Sequence, residues 1–433
     1  MLIWPYRLLF LPALIVVLPY YLYRMFKRGG YIKGFWNRLG IISDVPSKEL
    51  NKKRIWIHAV SVGELLALHQ LLKALAEDEK YELALTTTTS TGLAIAKEKY
   101  KDYTCYAGVF PIDFYFFSRS YWKNIDPDLM ILMESELWPE HLNNAKKFKK
   151  PIILANARLS DRSFQRYRKF KFIKSLFITP LSLILASSKE DAERYIKIGA
   201  KPDKVKVTGN LKFDNALATS LDETNKTALL KEIGIRVDPG NPLILLGSST
   251  WPGEEAFLIS LFEEILKKGI NCKLIIVPRH AERRNDIIPL LKNASFSHHV
   301  RSQGTAPSNG VDALLADTTG ELKSLTRLAD IAFIGKSISS TKGGQTPIEA
   351  ASQGIPIVYG PHMTNFSPIC KSLEHAKAAF KVNHSIDAKR QIIKLLEDES
   401  LRKNTGDAAK RWHATNVGAT ARTIANVKEL LSS

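Results

Sequence analysis

The chain has 433 residues, 45% hydrophobic and 24% charged, which are proportions of a globular protein and exclude a disordered or fibrous one. That length exceeds one ordinary core and predicts two domains. Sixty-two Lys and Arg against 43 Asp and Glu leave a net charge of +19, pointing to an anionic partner such as nucleic acid, an acidic membrane surface or a phosphorylated substrate.

The first element is apolar. Leu8 to Tyr23 (LLFLPALIVVLPYYLY) carries no charge. As a helix it spans roughly 24 Å, and adding Leu2–Tyr6 reaches the ~30 Å hydrocarbon core if Arg7 snorkels to the interface. Trp4, Tyr6, Tyr20, Tyr21 and Tyr23 suit the two interfaces, and Arg24, Lys27, Arg28, Lys33 and Arg38 follow. The positive-inside tendency then puts the rest of the chain in the cytoplasm. A cleaved signal peptide wants charges before the run and small residues after it, which YYLYRMF does not supply. Residues 1–30 are therefore expected to be a membrane anchor, a single span in preference to the re-entrant or interfacial segment that Pro12 and Pro19 also allow.

Short apolar runs then alternate with helical patterns. Arg54–Val60, Leu83–Thr87, Leu129–Met133, Ile152–Asn156 and Leu183–Ala186 read as buried parallel strands, with helices such as Glu64–Ala76 between them. This predicts a doubly wound α/β domain over residues 31–218, with polar, aperiodic Asn215–Thr227 as the linker. The pattern restarts with strands at Leu243–Leu246, Leu274–Val277, Ile331–Ile334 and Ile355–Tyr359. Helices at Glu254–Lys268, Glu321–Leu328 and Pro347–Gln353 separate them, and Ser400–Ser433 is amphipathic and helical. A second doubly wound domain over 219–433 follows, and two such domains facing a cleft bind ligands at the carboxyl ends of their strands.

Candidate chemistry sits at those ends. HAVSVGE after the first strand puts Glu64 in a helix's first turn, as a helix-dipole acid or as a general base kept ionised by the helix N-terminus. MESELWP supplies Glu134 and Glu136, two apart in an extended segment and so on opposite faces. Arg158, Arg162, Arg166, Arg168, Lys169, Lys171 and Lys174 face Asp161 alone, a density that favours acidic headgroups or a phosphorylated acceptor over a merely solvated face. No helix-turn-helix, RNA-binding or zinc-finger signature supports nucleic acid.

In the second half, four segments join strands to helices: GSST with Ser248 and Ser249, PRH with Arg279, ADTTGEL with Gly320 and Glu321, and KGGQTP with Gly343 and Gly344. Repeated loops of this kind imply a nucleotide. Thr346, Pro347 and Glu349 have the spacing of a capping box, so by spacing alone Glu349 is a cap before it is a ligand. GxGxxG is missing, and GKS at Gly335–Ser337 lacks the earlier glycine of a P-loop, so neither a dinucleotide dehydrogenase nor a P-loop enzyme is expected. Cys105, Cys272 and Cys370 make neither a disulfide framework nor a zinc spacing and read as buried thiols of a reducing compartment.

The apolar N-terminus, HAVSVGE, ESELWP, NARLS with Arg162 and Ser163, TGNLKFD (Thr208–Asp214), PRH, DTTGEL and GPHMTNF (Gly360–Phe366) occur in order along the chain. Together they resemble the Kdo transferases of lipopolysaccharide assembly, inner-membrane enzymes that move 3-deoxy-manno-octulosonic acid (Kdo) from CMP-Kdo onto a lipid A precursor. The resemblance covers nearly the whole chain and implies the GT-B fold, an inverting mechanism, no catalytic metal and no cofactor. It makes Glu64 the base, Glu136 a second essential carboxylate, and Arg279 with donors near Ser248 and Ser249 the stabilisers of the leaving phosphate. Lys212 is a further phosphate or donor candidate, Glu349 holds the CMP ribose, and Asn365 lines the donor pocket. Anionic lipids and the acceptor are the implied partners of the basic stretch. Two departures stand out: Trp251 where the family usually has His, and Gln345-Thr346 where it usually has His-Asn. The rival readings are another membrane-associated GT-B enzyme using a nucleotide sugar, and an inactive nucleotide-binding membrane protein.

Overall fold

The computed structural model describes residues 3–28, 34–42, 44–169, 174–216, 223–237 and 240–432. The chain forms two compact units, Met1–Asn215 together with Asn416–Ser433, and Ala216–Thr415.

The first unit is built on seven parallel strands. They are β1 (Lys53–Ala59), β2 (Tyr81–Thr87), β3 (Tyr106–Val109), β4 (Leu129–Met133), β5 (Ile152–Ala157), β6 (Leu183–Ala186) and β7 (Val205–Val207). Their order across the sheet is β3-β2-β1-β4-β5-β6-β7. Helices cover both faces, so every residue of β1 from Arg54 to Ala59 is buried, with no alternation of buried and exposed positions. One face packs Ile55, Ile57, Leu65 and Leu72, and the other packs Trp56, Tyr121, Trp122 and Leu154. Arg54 is tolerated inside because Glu82 (2.8 Å) and the carbonyls of Ile125 and Pro46 (2.9 Å each) take its guanidinium hydrogens. The strand order reverses between β1 and β4, which is where a sheet of this kind opens a crevice at its carboxyl edge. The helix expected over Glu64–Ala76 is two, Val62–Ala67 and His69–Ala76, hinged at Leu68.

The chain's end corrects the expected second domain. Helix Ala419–Ser432 packs Ala419 and Val427 into the first unit's core. Asp214 accepts the Gly418 and Thr420 N–H groups (2.7 and 2.5 Å), and Arg422 donates to the Thr208 carbonyl (2.8 Å). The boundary expected at residue 218 lies outside the described residues.

The N-terminal helix runs Ile3–Arg28, and its first turns are fastened to the unit that follows it. Tyr6 Oη donates to Asp113 (2.7 Å), and Arg7 makes a two-pronged ion pair with buried Glu140 (2.5 and 2.9 Å). Phe10 stacks on Phe114. Arg7 therefore does not snorkel to an interface, and Arg38, expected beside the membrane, is buried with its guanidinium on the Thr88 carbonyl (2.7 Å). No helix among the described residues is long and apolar enough to cross a membrane. These bonds hold the start of the helix against Asp113 and Glu140. Leu8, Leu9, Ile15, Val16 and Val17 nevertheless stay exposed on the helix.

The second unit repeats the architecture with β8 (Leu243–Thr250), β9 (Cys272–Pro278), β10 (His298–Val300), β11 (Ala313–Leu315), β12 (Ile331–Ile334), β13 (Ile357–Tyr359) and β14 (Ala379–Lys381). All pairs are parallel and the order is β10-β11-β9-β8-β12-β13-β14, reversing between β8 and β12. Leu245, Phe262, Leu274, Phe333 and Ile392 are at the centre of its core.

Candidate active site

In the first unit, the reversal point between β1 and β4 gathers three carboxylates. Ser61 caps helix Val62–Ala67 by accepting the Glu64 N–H (3.2 Å). The Glu64 carboxylate turns back to accept the Val60 N–H and the Ser61 O–H (2.9 Å each). It is thus fixed at the strand end by its own cap. Burial pushes the Glu64 carboxyl above the usual range and Glu134 pushes the same way, while the Val60 and Ser61 hydrogen bonds and the Lys212 ammonium oppose them. Desolvation is the largest of these influences.

Glu134 follows β4 at φ 55, a left-handed conformation that costs a residue with a Cβ about 1–2 kcal/mol. Its N–H and carbonyl bridge to Ala155 and Arg158 (2.9 and 3.2 Å), so the segment is a turn and not the expected extended run. The two glutamates consequently share one neighbourhood. Lys212 pairs with Glu134 (2.9 Å), which ties this lysine to the first unit's carboxylates. Burial, then Glu64 and Glu134, push the Glu136 carboxyl up to about 7, with the nearby Trp138 indole opposing them.

In the second unit, Ser248 and Ser249 lie just before Thr250, the last residue of β8, both buried, with Ser249 at φ 54. Gly335 after β12 is required there, since a Cβ would lie 2.2 Å from the Ser249 carbonyl oxygen. The Arg279 N–H bonds to Thr250 O (3.1 Å) while its side chain is exposed. Gly320 (φ 97) turns the chain, and Glu321 is engaged with Arg301 (3.2 Å) and the Thr318 hydroxyl. Gly343 (φ 134) and Gly344 (φ 76) lie against Asn365 and Met363. The Asn365 N–H donates to Gly343 O (2.9 Å), so three expected donor residues form one corner.

Spacing makes Glu349 a cap and the family resemblance makes it a ligand. Its helix is only Ile348–Ser352, and Thr346 Oγ1 accepts the Ile348 N–H (3.3 Å). Glu349 Oε2 is buried and has no partner among the described residues. Burial raises its pKa, against its own N–H, the Thr346 hydroxyl and Lys323. A buried carboxylate oxygen without a donor is costly.

Two features of these loops have no counterpart in the sequence reading. Buried Glu254 accepts backbone N–H groups from Trp251, Lys336, Ser337, Ile338 and Ser339 (2.7–3.4 Å), clamping the ends of β8 and β12 together. From sequence Glu254 looks like any acid in a helix's first turn. Its carboxylate fills the amide nest of Lys336–Ser339, which explains physically why GKS there is no P-loop. Lys336, at φ 58, holds its ammonium 4.2 Å from the centre of the Trp251 ring, whose edge-on neighbour is His280.

The family described as 3-deoxy-D-manno-octulosonic-acid transferase (kdotransferase) matches residues 33–215, and that of glycosyl transferases group 1 matches residues 256–412. The 3-deoxy-D-manno-octulosonic acid transferase of Haemophilus influenzae is 32% identical over 99% of this chain and 96% of its own length. The chain belongs to the Kdo transferase family. The Chlamydia trachomatis serovar A member is 28% identical, over 86% of this chain and 84% of its own. Among solved structures, the UDP-GlcNAc 2-epimerase of Neisseria meningitidis superposes with a TM-score of 0.60 at 14% identity, covering 87% of this chain and all of that one. A putative UDP-N-acetylglucosamine 2-epimerase from Listeria monocytogenes gives 0.59 at 13%, over 87% and 96%. These likenesses show the fold alone, a two-domain GT-B-like α/β architecture.

In this Kdo transferase the basic stretch divides. Arg158 is half-buried and joined through its backbone to Glu134 and Tyr195. Arg162, Arg166, Arg168 and Lys169 are exposed on helix Asp161–Lys169, which has no buried residue. Lys171 lies outside the described residues.

Proposed function

We propose that this Kdo transferase moves Kdo from CMP-Kdo to a hydroxyl of a phosphorylated lipid A precursor, with inversion, at the cytoplasmic surface of the inner membrane. Family membership supports the sugar and the reaction class. The observation that carries the mechanism is the Glu64 carboxylate, fixed by Val60 and Ser61 at the β1–β4 reversal and raised by burial. A base with a raised pKa takes a proton at neutral pH more effectively than an ordinary glutamate.

In this reading Glu64 removes the acceptor hydroxyl's proton, and the oxygen forms its bond to the anomeric carbon from the face opposite the nucleotide. The bond from that carbon to the phosphate oxygen breaks, and CMP leaves with the electron pair. Glu136, whose carboxyl titrates near 7, shares the proton inventory with Glu64. Arg279, Ser248 and Ser249 stabilise the departing phosphate. Glu349 Oε2 accepts a ribose hydroxyl, and the Gly343–Gly344–Asn365 corner lines the donor. Glu321 is already engaged by Arg301, which leaves the Gly320 backbone as that loop's contribution. Lys212 acts by holding Glu134, and so the charge of the carboxylate group, in check.

Arg158, Arg162, Arg166, Arg168 and Lys169 meet the acceptor's phosphates and anionic lipid headgroups. The N-terminal helix lies in the interface as a re-entrant or surface-bound element, its exposed leucines and valines in the acyl boundary. The test is to incubate the purified protein with CMP-Kdo and a lipid A precursor and weigh the products. A gain of one or more Kdo masses on the lipid, with CMP released, is the expected result. CMP-Kdo left intact beside unmodified lipid would sink the assignment.

A further inference from the structure

We propose that Lys336 and Trp251 form a donor subsite that binds an anionic group of the nucleotide sugar, a phosphate or a carboxylate; this rests on the donor reading above. The pair stands at the reversal point between β8 and β12, where the second sheet opens its carboxyl edge. The Lys336 ammonium is half-buried over the Trp251 ring and makes no ion pair among the described residues. The other sheltered lysines of this unit are neutralised: Lys226 by Asp330 (3.0 Å), Lys273 by Asp312 (2.6 Å) and Lys389 by Glu264 (3.6 Å). Glu254, the acid bonded to both loops, is occupied by five backbone N–H groups and serves to hold Lys336 and Trp251 together.

The ring fixes the ammonium without cancelling its charge, so the cation is pre-organised for an anion that the protein does not itself supply. Its surroundings are those of the donor corner. A Cβ on Gly343 would lie 3.6 Å from Lys336 Cε and 2.8 Å from Asn365 Nδ2, so the lysine stem and Asn365 flank the same glycine. Trp251 Nε1 is a second buried donor without a partner among the described residues. Lys336 also keeps a side chain at φ 58, where glycine would be relaxed, and strain of that kind gathers at ligand sites.

The experiment measures CMP, cytidine and CMP-Kdo binding calorimetrically for wild type, Lys336→Met and Lys336→Gly, with melting temperatures alongside. Loss of a charge-assisted contact raises the Kd about tenfold or more. A rise seen with CMP and not with cytidine assigns the phosphate; a rise confined to CMP-Kdo assigns the sugar carboxylate. Lys336→Gly shows the same rise with an unchanged or higher melting temperature, because glycine relieves the backbone. Unchanged affinity for CMP and CMP-Kdo in both variants overturns the subsite. So does a lowered melting temperature with equal loss of CMP and cytidine, which marks the lysine as a staple between loops. Wild-type protein that binds neither CMP nor CMP-Kdo removes the donor reading, and the subsite with it.

Discussion

Replacing Glu136 with Gln should make the protein more stable and less active, and the stability gain should grow with pH. The Glu136 carboxyl rises from an ordinary 4.5 to about 7 through burial and the neighbouring Glu64 and Glu134 charges. A folded state that holds its proton more tightly than the unfolded chain loses stability as pH climbs from the unfolded to the folded pKa. The penalty is absent below about 4, amounts to about 1 kcal/mol at pH 5, and levels near 3 kcal/mol above pH 7.5. Glu136→Gln removes the charge and keeps the shape, so the variant's advantage over wild type should widen by about 2–3 kcal/mol between pH 5 and pH 8. Glu136 and Glu64 interact, so part of that gain appears as a lower Glu64 pKa. The assay is urea denaturation of both proteins at the two pH values, followed by transfer activity at pH 7.5. An advantage that is the same at pH 5 and pH 8 would refute the buried-carboxylate account. A variant with full activity would remove Glu136 from the mechanism.

Three further outcomes are expected. Glu64→Gln can still accept the Val60 N–H and meet the Ser61 hydroxyl, so its stability should change by about 1 kcal/mol or less while transfer falls about 10²–10⁴-fold; normal transfer by the folded variant refutes the base assignment. Arg7→Met leaves Glu140 buried and unpaired, and should cost about 3–5 kcal/mol in the first unit, read by denaturation in detergent; a loss below about 1 kcal/mol would mean that the helix is not fastened there. Reversing Arg166, Arg168 and Lys169 to Glu should weaken binding to anionic vesicles at low salt more than at high salt, whereas unchanged binding at low salt returns that helix to a merely solvated face.

Much of the fold was legible because buried parallel strands announce themselves as unbroken Ile, Leu and Val runs. Leu243–Leu246 of β8 and Leu274–Val277 of β9 are of that kind. The strands missed, Tyr106–Val109, Val205–Val207, His298–Val300, Ala313–Leu315 and Ala379–Lys381, are three or four residues long and carry no period of their own. The site residues were legible one at a time, while their grouping was not. A left-handed turn at Glu134, invisible in composition, brings two glutamates together that an extended segment would separate. Glu254 and Glu64 both look like first-turn acids. Only tertiary contacts reveal that one clamps five amides and the other stands beside two more carboxylates. For Glu349 the spacing suggested a cap, and the unpartnered Oε2 opened the question again.

The return of Asn416–Ser433 to the first unit has a bearing on how the protein is made. The second unit, Ala216–Thr415, is one continuous segment and is complete as soon as it leaves the ribosome. The first unit is not, because the helix that packs Ala419 and Val427 into its core, beside helix His69–Ala76, arrives after that segment. At about 5–20 residues per second, translating the intervening stretch takes roughly 10–40 s. Throughout that interval the earlier-born half waits with an apolar face bare and Asp214 without the Gly418 and Thr420 amides. The later-born half should therefore mature first, and the waiting face is where a nascent-chain chaperone would be needed.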